Sequence, residues 1–369
     1  MKIGTSGAVT PPAAGVIKAA QQQEAAGFDS TWWPDHLMAW HPQSIWTPEF
    51  TPLAHRQPDS HVFLDTVTCM TAAAMSTESI RIGSSVTDPV RRHPAVLAQE
   101  FLSIDHFSDG RCILGIGTGE GENAIPYGLS IDRPASRLED ALEIIRLLWE
   151  SEGPVAHDSP FWPHEEAVFG LGPVAEDRFP PIWVAAHGPR MLDITGRLGD
   201  GWLPTYMTAT EYRDKRDRIE TARQQAGRLD LPFEAGLWAY TCIGDSKEDC
   251  LELFESPMYK AIALQMPASV FEEHGVAPPL GEGSYGFNDF IPSHFDRDRI
   301  LEVLDGIPPE VVARAILHGS VDDVVDELRA LGDAGCEHAV LWNISFLTDA
   351  ERVGASFKAV GKVKAALQG

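Results

Sequence analysis

The sequence has few basic residues, no long apolar run and no paired-cysteine motif, and each absence excludes a class of protein. Lysine and arginine total 29 against 54 aspartates and glutamates, which gives a formal charge of −25. Such a chain lacks the clustered cations that nucleic acid and anionic membrane surfaces require. No apolar run approaches the ~20 residues of a membrane-spanning helix. We therefore expect neither nucleic-acid binding nor integral membrane association.

Cysteine chemistry and metal binding are also poorly supported. The five cysteines are dispersed, without a CxxC pair, and no His, Cys, Asp or Glu set has the spacing of metal ligands. We predict no metal site. The N-terminus lacks the apolar core of a signal peptide. Reduced thiols and a cytoplasmic location follow as expectations.

Short apolar runs alternate with helical patterns along the whole chain, which predicts a parallel sheet with crossover helices. Eight such units fit a (β/α)₈ TIM barrel, a single domain over 1–369. The alternative, a doubly wound open sheet, is disfavoured because no GxGxxG follows the first strand. One helix is predicted over 246–265. The predicted strands are Met1–Thr5, Ser30–Trp33, Ile80–Val86, Arg111–Gly117, Pro181–Ala186, Gly201–Pro204, Gly236–Ile243 and Ala339–Ile344.

Three segments are too long for ordinary barrel loops: 37–63, 151–180 and 266–294. Long ordered loops of barrels usually build the site at the C-terminal face. We expect at least two of the three to shape a ligand pocket, and family-specific decoration or a dimer contact is the alternative. The aromatic residues Trp46, Phe287 and Phe290 in these loops predict walls of an apolar substrate pocket.

Polar motifs follow several predicted strands, where a barrel carries its chemistry. Asp35-His36 follows the second strand, and a histidine beside a carboxylate can donate a proton near neutral pH. The run after the fourth strand contains Thr118, Gly119 and Glu120. Its glycines allow close approach of a ligand, and burial would raise the pKa of Glu120 so that it serves as an acid. A tight turn with solvated carboxylates is the alternative.

Two further motifs favour an anionic ligand. His187-Gly188-Pro189 places backbone N–H groups at a helix N-terminus, which suits a phosphate. Arg91 and Arg92, in a run of three cations on an acidic chain, are candidates for an anionic tail, although a solvated helix entry explains them equally. No GxSxG or Cys–His arrangement indicates covalent catalysis.

Together these stretches resemble the luciferase-like barrel superfamily, in particular its branch that uses the deazaflavin coenzyme F420. The resemblance spans essentially the whole chain. Within that branch the sequence is similar to the phthiodiolone and phenolphthiodiolone dimycocerosate ketoreductases. The stretches that carry the resemblance are DHLMAWHPQSIWTPEF, TDPVRRHPAVLAQ, ILGIGTGEGENAIPYG, PIWVAAHGPRML and HGVAPPLGEGSYGFNDFIP.

The resemblance implies roles by position. His36 and Glu120 would be the catalytic pair, and either would supply the proton to the substrate oxygen. Trp40 matches an aromatic position of the glucose-6-phosphate dehydrogenase branch, but the N-terminal glutamate of that branch is missing here, which argues against sugar-phosphate oxidation. Ser85-Val86 matches a non-prolyl cis peptide beside the cofactor ring. The remaining implied cofactor contacts are Asp35, Asn123, Ala185, Ala186, His187 and Gly188.

The sequence therefore predicts an F420-dependent oxidoreductase that transfers a hydride between the deazaflavin and a carbonyl/alcohol pair, with an apolar or lipid-like substrate. A homodimer is implied by the resemblance alone. Two alternatives stay open, an FMN-dependent monooxygenase of the same superfamily and a non-catalytic cofactor-binding protein.

Overall fold

The computed structural model describes residues 1–176 and 178–368, so Asp177 of the second long segment and the terminal Gly369 lie outside the description. Its strands are β1 (Lys2–Ser6), β2 (Ser30–Trp33), β3 (Arg81–Ser84), β4 (Cys112–Ile116), β5 (Val155–His157), β6 (His164–Ala167), β7 (Ile182–Val184), β8 (Gly201–Trp202), β9 (Glu234–Ile243), β10 (Ile316–Gly319) and β11 (His338–Asn343).

Helices cover the outside of the sheet and fill the long segments. The helices are α1 (Ala13–Ala25), α2 (Thr66–Ser76), α3 (Pro94–Ser108), α4 (Gly121–Ala124), α5 (Pro134–Glu150), α6 (Pro189–Leu198), α7 (Ala209–Gln225), α8 (Lys247–Leu253), α9 (Pro257–Ala263), α10 (Ala268–Glu273), α11 (Gly286–Asp289), α12 (Arg297–Asp305), α13 (Pro309–Val312), α14 (Val321–Asp333) and α15 (Arg352–Gln368). Within the described ranges, no helix is long and apolar enough to cross a bilayer.

Eight parallel strands close into a barrel in the order β9, β11, β1, β2, β3, β4, β7 and β8, with β8 pairing back to β9. The predicted (β/α)₈ barrel is confirmed. All eight predicted strands are present within a few residues of their expected bounds. Closure removes the exposed edges that an open sheet would leave unpaired.

A ninth parallel strand, β10, was not predicted. The two-residue β8 pairs with β9 only at Glu234 and Ala235, and β10 pairs farther along the same edge, from Tyr240 to Ile243. The run that forms β10 follows the four-residue α13 (Pro309–Val312) rather than a long helical pattern, so it does not stand out in the sequence as a strand–helix unit.

The prediction of one continuous helix over 246–265 is wrong. The chain forms α8 and α9 instead, and α9 begins at Pro257. Proline has no backbone N–H and its ring collides with the preceding turn, so it starts a new helix rather than extending one. Ser256 caps this start by accepting a bond from the Met258 N–H at 3.3 Å.

Two tryptophans fill the inside of the barrel. Trp32 and Trp183 are fully buried with ring centroids 5.3 Å apart. Glycines make room for them: a Cβ on Gly83 would lie 2.3 Å from the Trp32 ring, and one on Gly201 would lie 2.5 Å from Trp183. The filled interior is a core rather than a pore, which leaves ligand space at the C-terminal mouth.

Candidate functional site

A cavity of about 1100 Å³ opens at the C-terminal mouth of the barrel. Its lining comes from the segments that follow the strands and from two of the three long segments. Trp40 comes from 37–63, and Tyr285 and Phe287 come from 266–294. Of the described part of 151–180, which carries the β5–β6 hairpin, no residue lines it. Two long segments therefore shape the pocket, as expected.

His36 and two carboxylates meet on one side of this mouth. The Nε2 atom of His36 lies 3.6 Å from Glu120 Oε2, and its Nδ1 atom lies 3.3 Å from Glu122 Oε1. The imidazole stacks on Phe63 at 5.5 Å between centroids. His36 and Glu120 face the cavity. The histidine is therefore held between two negative groups at the point where a ligand would enter.

The electrostatics of this cluster favour a charged imidazole. Burial acts to lower the pKa of His36, but the charges of Glu120 and Glu122 outweigh it and raise the pKa to about 9. Burial and the neighbouring Glu120 raise the pKa of Glu122 above its ordinary value. The sequence had assigned the raised pKa to Glu120. The structure instead places the more deeply buried carboxyl at position 122, with 6% of its side chain exposed against 29% for Glu120.

Asn123 ties this cluster to the loop after β2. Its Oδ1 accepts bonds from the backbone N–H groups of Leu37 and Met38 at 2.7 and 3.0 Å. Its Nδ2 lies 3.0 Å from Glu120 Oε2 and 2.9 Å from His36 Nδ1. Because Oδ1 is engaged by two donors, the amide nitrogen must face the histidine. Asn123 therefore positions the cluster; the cavity lining does not include it.

Asp35 is the centre of a buried ion-pair network. It accepts from Thr87 Oγ1 at 2.7 Å and pairs with Arg91 and Arg92 at 3.2 and 3.1 Å. Arg91 also donates to Asp88 at 2.7 Å. The two arginines hold the pKa of Asp35 below its usual value despite its burial.

This network bears on the expected role of the two arginines as contacts of an anionic tail, which stays a prediction. Arg91 lines the cavity, but its guanidinium is already paired with two carboxylates. Arg92 lies outside the lining and pairs with Asp65 and Glu100 as well as Asp35. Carboxylates of the protein therefore compensate the charge of both arginines, which leaves less of it to attract an anionic ligand.

The Ser85–Val86 peptide bond is cis, as the resemblance implied, and both residues line the cavity. Among the described residues, three buried polar atoms at this cavity have no hydrogen-bond partner: Ser85 Oγ, Trp40 Nε1 and Trp238 Nε1. An indole N–H can only donate, so these groups suit a planar ligand with carbonyl acceptors. The ring system of a deazaflavin or a flavin carries such carbonyls.

The turn after β7 lies where the cavity meets a second one of about 810 Å³. His187 lines both cavities. Its Nε2 lies 3.2 Å from the Thr205 N–H, and burial followed by the charge of Lys215 lowers its pKa to about 3, so the ring is neutral and accepts this bond. Gly188 precedes α6, and Lys215 Nζ donates to the His187 carbonyl at 3.3 Å. A cation and a helix N-terminus thus lie side by side.

The structure places the other predicted residues as follows. Thr118, Gly119 and Ala185 line the main cavity. Ala186 and Gly188 do not, although Ala186 accepts a bond from Trp202 Nε1 at 2.9 Å.

Two of the expected walls of the substrate pocket lie outside both cavities. Trp46 packs in the core with its Nε1 donating to the Gln57 carbonyl at 2.7 Å, and Phe290 packs against Phe295 at 5.5 Å between centroids. Neither residue lines either cavity, because both side chains turn toward the buried core under these loops.

The sequence missed several residues that the fold brings to the site. Glu122 was passed over beside Glu120, although a second carboxylate two residues away was a usable signal. Lys215 lies inside a charged helix, where nothing distinguishes it from its neighbours. The aromatic residues Trp238, Tyr240 and Trp342 lie on strands and line the cavity.

Metal-ligand geometry also appears where chain spacing did not predict it. His36, Glu120 and Glu122 bring three ligand atoms within 4.8 Å of one another, and so do Asp140, Glu143 and His157. In each set the fold brings a histidine to two carboxylates that are only two or three residues apart in sequence. The prediction of no metal site rested on chain spacing, and it stays a prediction.

Comparison with known proteins places this geometry in a family. Residues 2–338 match the luciferase-like monooxygenase family model. The chain is 35% identical over 323 residues to a phthiodiolone/phenolphthiodiolone dimycocerosates ketoreductase of Mycobacterium sp. (strain JLS), covering 86% of this chain and 84% of the relative.

Solved structures share the fold at lower identity. An F420-dependent secondary alcohol dehydrogenase in complex with an F420-acetone adduct has a TM-score of 0.72 and 20% identity, over 99% of this chain and 98% of that one. The oxygenating constituent of 3,6-diketocamphane monooxygenase from Pseudomonas putida, in complex with FMN, has a TM-score of 0.64 and 17% identity, over 99% and 98%. The family match over most of its length shows that the chain belongs to the luciferase-like monooxygenase family.

Proposed function

We propose that this protein is a coenzyme F420-dependent oxidoreductase that interconverts a carbonyl and an alcohol. The observation that carries the proposal is the buried His36, held between Glu120 and Glu122 at the mouth of an aromatic cavity. A group that stays protonated at neutral pH is what reduction of a carbonyl needs, since the oxygen must receive a proton as hydride reaches the carbon. The ketoreductase likeness supports the same chemistry.

The residues present fit a deazaflavin. The unpartnered donors Trp40 Nε1, Trp238 Nε1 and Ser85 Oγ border the cavity, and Val86 presents an apolar surface for a ring. The anionic tail would lie toward the N-terminus of α6, near Gly188, with Lys215 beside it. Local cations are needed to bind an anionic tail because the whole chain carries a formal net charge of −25.

When bound, the deazaflavin supplies or accepts the hydride. The residues of this chain transfer the proton and exclude water. His36 donates its proton to the substrate oxygen in reduction and takes it back in oxidation. Glu120 stabilises the imidazolium from the cavity side. The indole and phenol walls, Trp238, Tyr240 and Trp342, exclude water from the reacting pair.

The apolar walls favour an apolar ketone or a lipid-like carbonyl as substrate. Six aromatic side chains line the cavity in the described residues, which suits an apolar substrate beside the cofactor ring. The second cavity shares Tyr285 and Phe287 with the first, but Lys215 and Arg314 also line it, so it suits the anionic tail of the cofactor rather than an apolar chain. The homodimer, the cytoplasmic location and the single domain stay predictions.

A single set of measurements tests this function. Purified protein is titrated with F420 and with FMN, and oxidation of reduced F420 is then followed against ketones of increasing chain length. We expect F420 binding and turnover that rises with chain length. His36→Ala should lower turnover by about 10²–10⁴-fold with little change in F420 affinity. His274→Ala, a surface histidine outside both cavities, is the matched control.

The same measurements decide between the alternatives. Binding of FMN but not F420 would favour a flavin-dependent monooxygenase, for which the shared fold of the FMN complex is the supporting observation. F420 binding without turnover on any carbonyl or alcohol would favour a cofactor-binding protein. Unchanged turnover in His36→Ala would remove His36 from the mechanism.

A further inference from the structure

Glu122 is a buried carboxylate without a part in the reaction described so far. It approaches the ring nitrogen of His36 opposite to the one near Glu120, at 3.3 Å from Nδ1. Its side chain is 6% exposed. Charged side chains are rarely buried unless a partner compensates them. The partner within ion-pair distance of Glu122 in the described residues is His36.

The backbone forces Glu122 into this position. A Cβ on the preceding Gly121 would lie 2.0 Å from the carbonyl oxygen of Asn288, so the start of α4 is pressed against the 266–294 segment. Only glycine fits at that contact, and the next side chain is directed inward. On the opposite side, Phe63 and Trp40 confine the imidazole at 5.5 and 5.9 Å between centroids.

Three groups lie within reach of the Nδ1 atom of His36, and they favour different protonation states. Asn123 presents its amide nitrogen at 2.9 Å, which favours an Nδ1 lone pair and a proton on Nε2 only. Glu122 Oε1 and the Met38 carbonyl, at 3.3 and 3.0 Å, favour a proton on Nδ1. Whichever contact dominates decides whether the ring carries one proton or two.

We propose, building on the function proposed above, that Glu122 is a positioning residue that holds the Nδ1 proton of His36, so that Nε2 carries the proton delivered to substrate. In reduction, a bound reduced deazaflavin would supply the hydride that adds to the carbonyl carbon, and the C=O π pair would move to oxygen. The Nε2–H bond breaks and the oxygen takes that proton. His36 is left neutral with Nδ1–H still bonded to Glu122, and the oxidised cofactor and the alcohol complete the balance. An orienting carboxylate behind a catalytic histidine acts in the same way in hydrolase triads.

The other titratable groups around the pair do not change charge near neutral pH. Arg91 acts on Glu120 and stays charged, because its ion pairs raise its pKa. Burial raises the pKa of Tyr127 and Tyr240, and the charge of Glu122 raises both further, so the two phenols stay neutral. The pH dependence therefore reports on His36 and the two carboxylates.

The experiment compares Glu122→Gln with Glu120→Gln and the wild type. The imidazole of His36 is titrated by NMR in histidine-labelled protein, with the signal assigned by its loss in His36→Ala. Removing an opposite charge at this distance shifts a pKa by about 1–3 units. We expect Glu122→Gln to lower the His36 titration by that amount and to move the basic limb of kcat by an equal amount, with KM for F420 little changed.

Glu122→Asp keeps the charge and should restore part of the shift, and thermal melts verify that each variant folds. If Glu122→Gln does not fold, the comparison of Glu122→Asp with the wild type carries the test, because a shorter carboxylate should still lower the titration. An unchanged His36 titration in a folded Glu122 variant would overturn the proposal, even if kcat falls at every pH. Because the titration needs no turnover, a failure of the proposed function leaves this result readable.

Discussion

The pH dependence of reduction is the prediction that the site geometry determines most directly. Raising the pH should deprotonate His36 and stop proton delivery to the substrate oxygen. The two carboxylates raise the pKa of His36 to about 9, above the ordinary 6.5. A group with a raised pKa is fully protonated below its ordinary value and loses its proton as the pH passes the raised one. The reductive rate should therefore be flat at neutral pH and fall above about pH 9.

The size of the effect follows from the same value. At pH 7 a histidine with an unperturbed pKa is about one quarter protonated, whereas one titrating near 9 is about 99% protonated. Above pH 9 each further unit should lower the reductive rate about tenfold. Alcohol oxidation needs His36 as a base, so its rate should rise over the same interval.

The assay is stopped-flow measurement of deazaflavin oxidation and reduction in both directions from pH 6 to 10, under single-turnover conditions so that product release does not mask the proton step. The opposite slopes in the two directions serve as an internal control. A reductive limb near pH 6.5, or a reductive rate that rises with pH, would refute the assignment of His36 as the proton donor.

Three further predictions concern the packing of the barrel, the Asp35 ion-pair network and the proposed binding site of the anionic tail near Lys215. Gly83→Ala should destabilise the protein by about 1–3 kcal/mol, because its Cβ would lie 2.3 Å from Trp32. The control is Gly361→Ala, on an open face of α15, which should be neutral or stabilising by up to about 1 kcal/mol. Denaturant unfolding measures both changes in the free energy of unfolding. Arg92→Ala should lower the melting temperature but leave F420 affinity within about twofold, since its charge is paired internally. Lys215→Ala should weaken F420 binding by about tenfold at low salt and less at high salt; titrations at two ionic strengths verify this, and equal loss at both would contradict a charge effect.

The fold was predictable from the sequence because each barrel strand is a short apolar run between helical patterns. Within RCILGIG the five residues of β4, Cys112–Ile116, are all buried, as a strand covered on both faces requires. The positions of His36, Glu120 and Ser85-Val86 followed from strand ends, since parallel strands direct their C-terminal ends to one mouth. The sequence did not predict β10 or the break between α8 and α9. Both features depend on only a few residues, which show too little of a regular hydrophobic pattern.

Side-chain direction inside loops was not predictable. Trp46 and Phe290 have the aromatic character of pocket walls, yet they turn into the core, while Trp238 and Trp342 reach the cavity from strands. An aromatic side chain gains similar free energy by burial in either place, so composition does not distinguish the two. Only the packing of the loop against its neighbours decides.

The sequence by itself determined the barrel, the mouth at which the site lies and the residue types that ring it, because strand order and polarity pattern are local properties of the chain. The tertiary structure decided which charged side chains lie next to one another. It brought Glu122 to Nδ1 of His36, and it paired Arg91 and Arg92 with Asp35. Charge interactions depend on distance and burial between residues far apart in sequence, and neither quantity exists until the chain has folded.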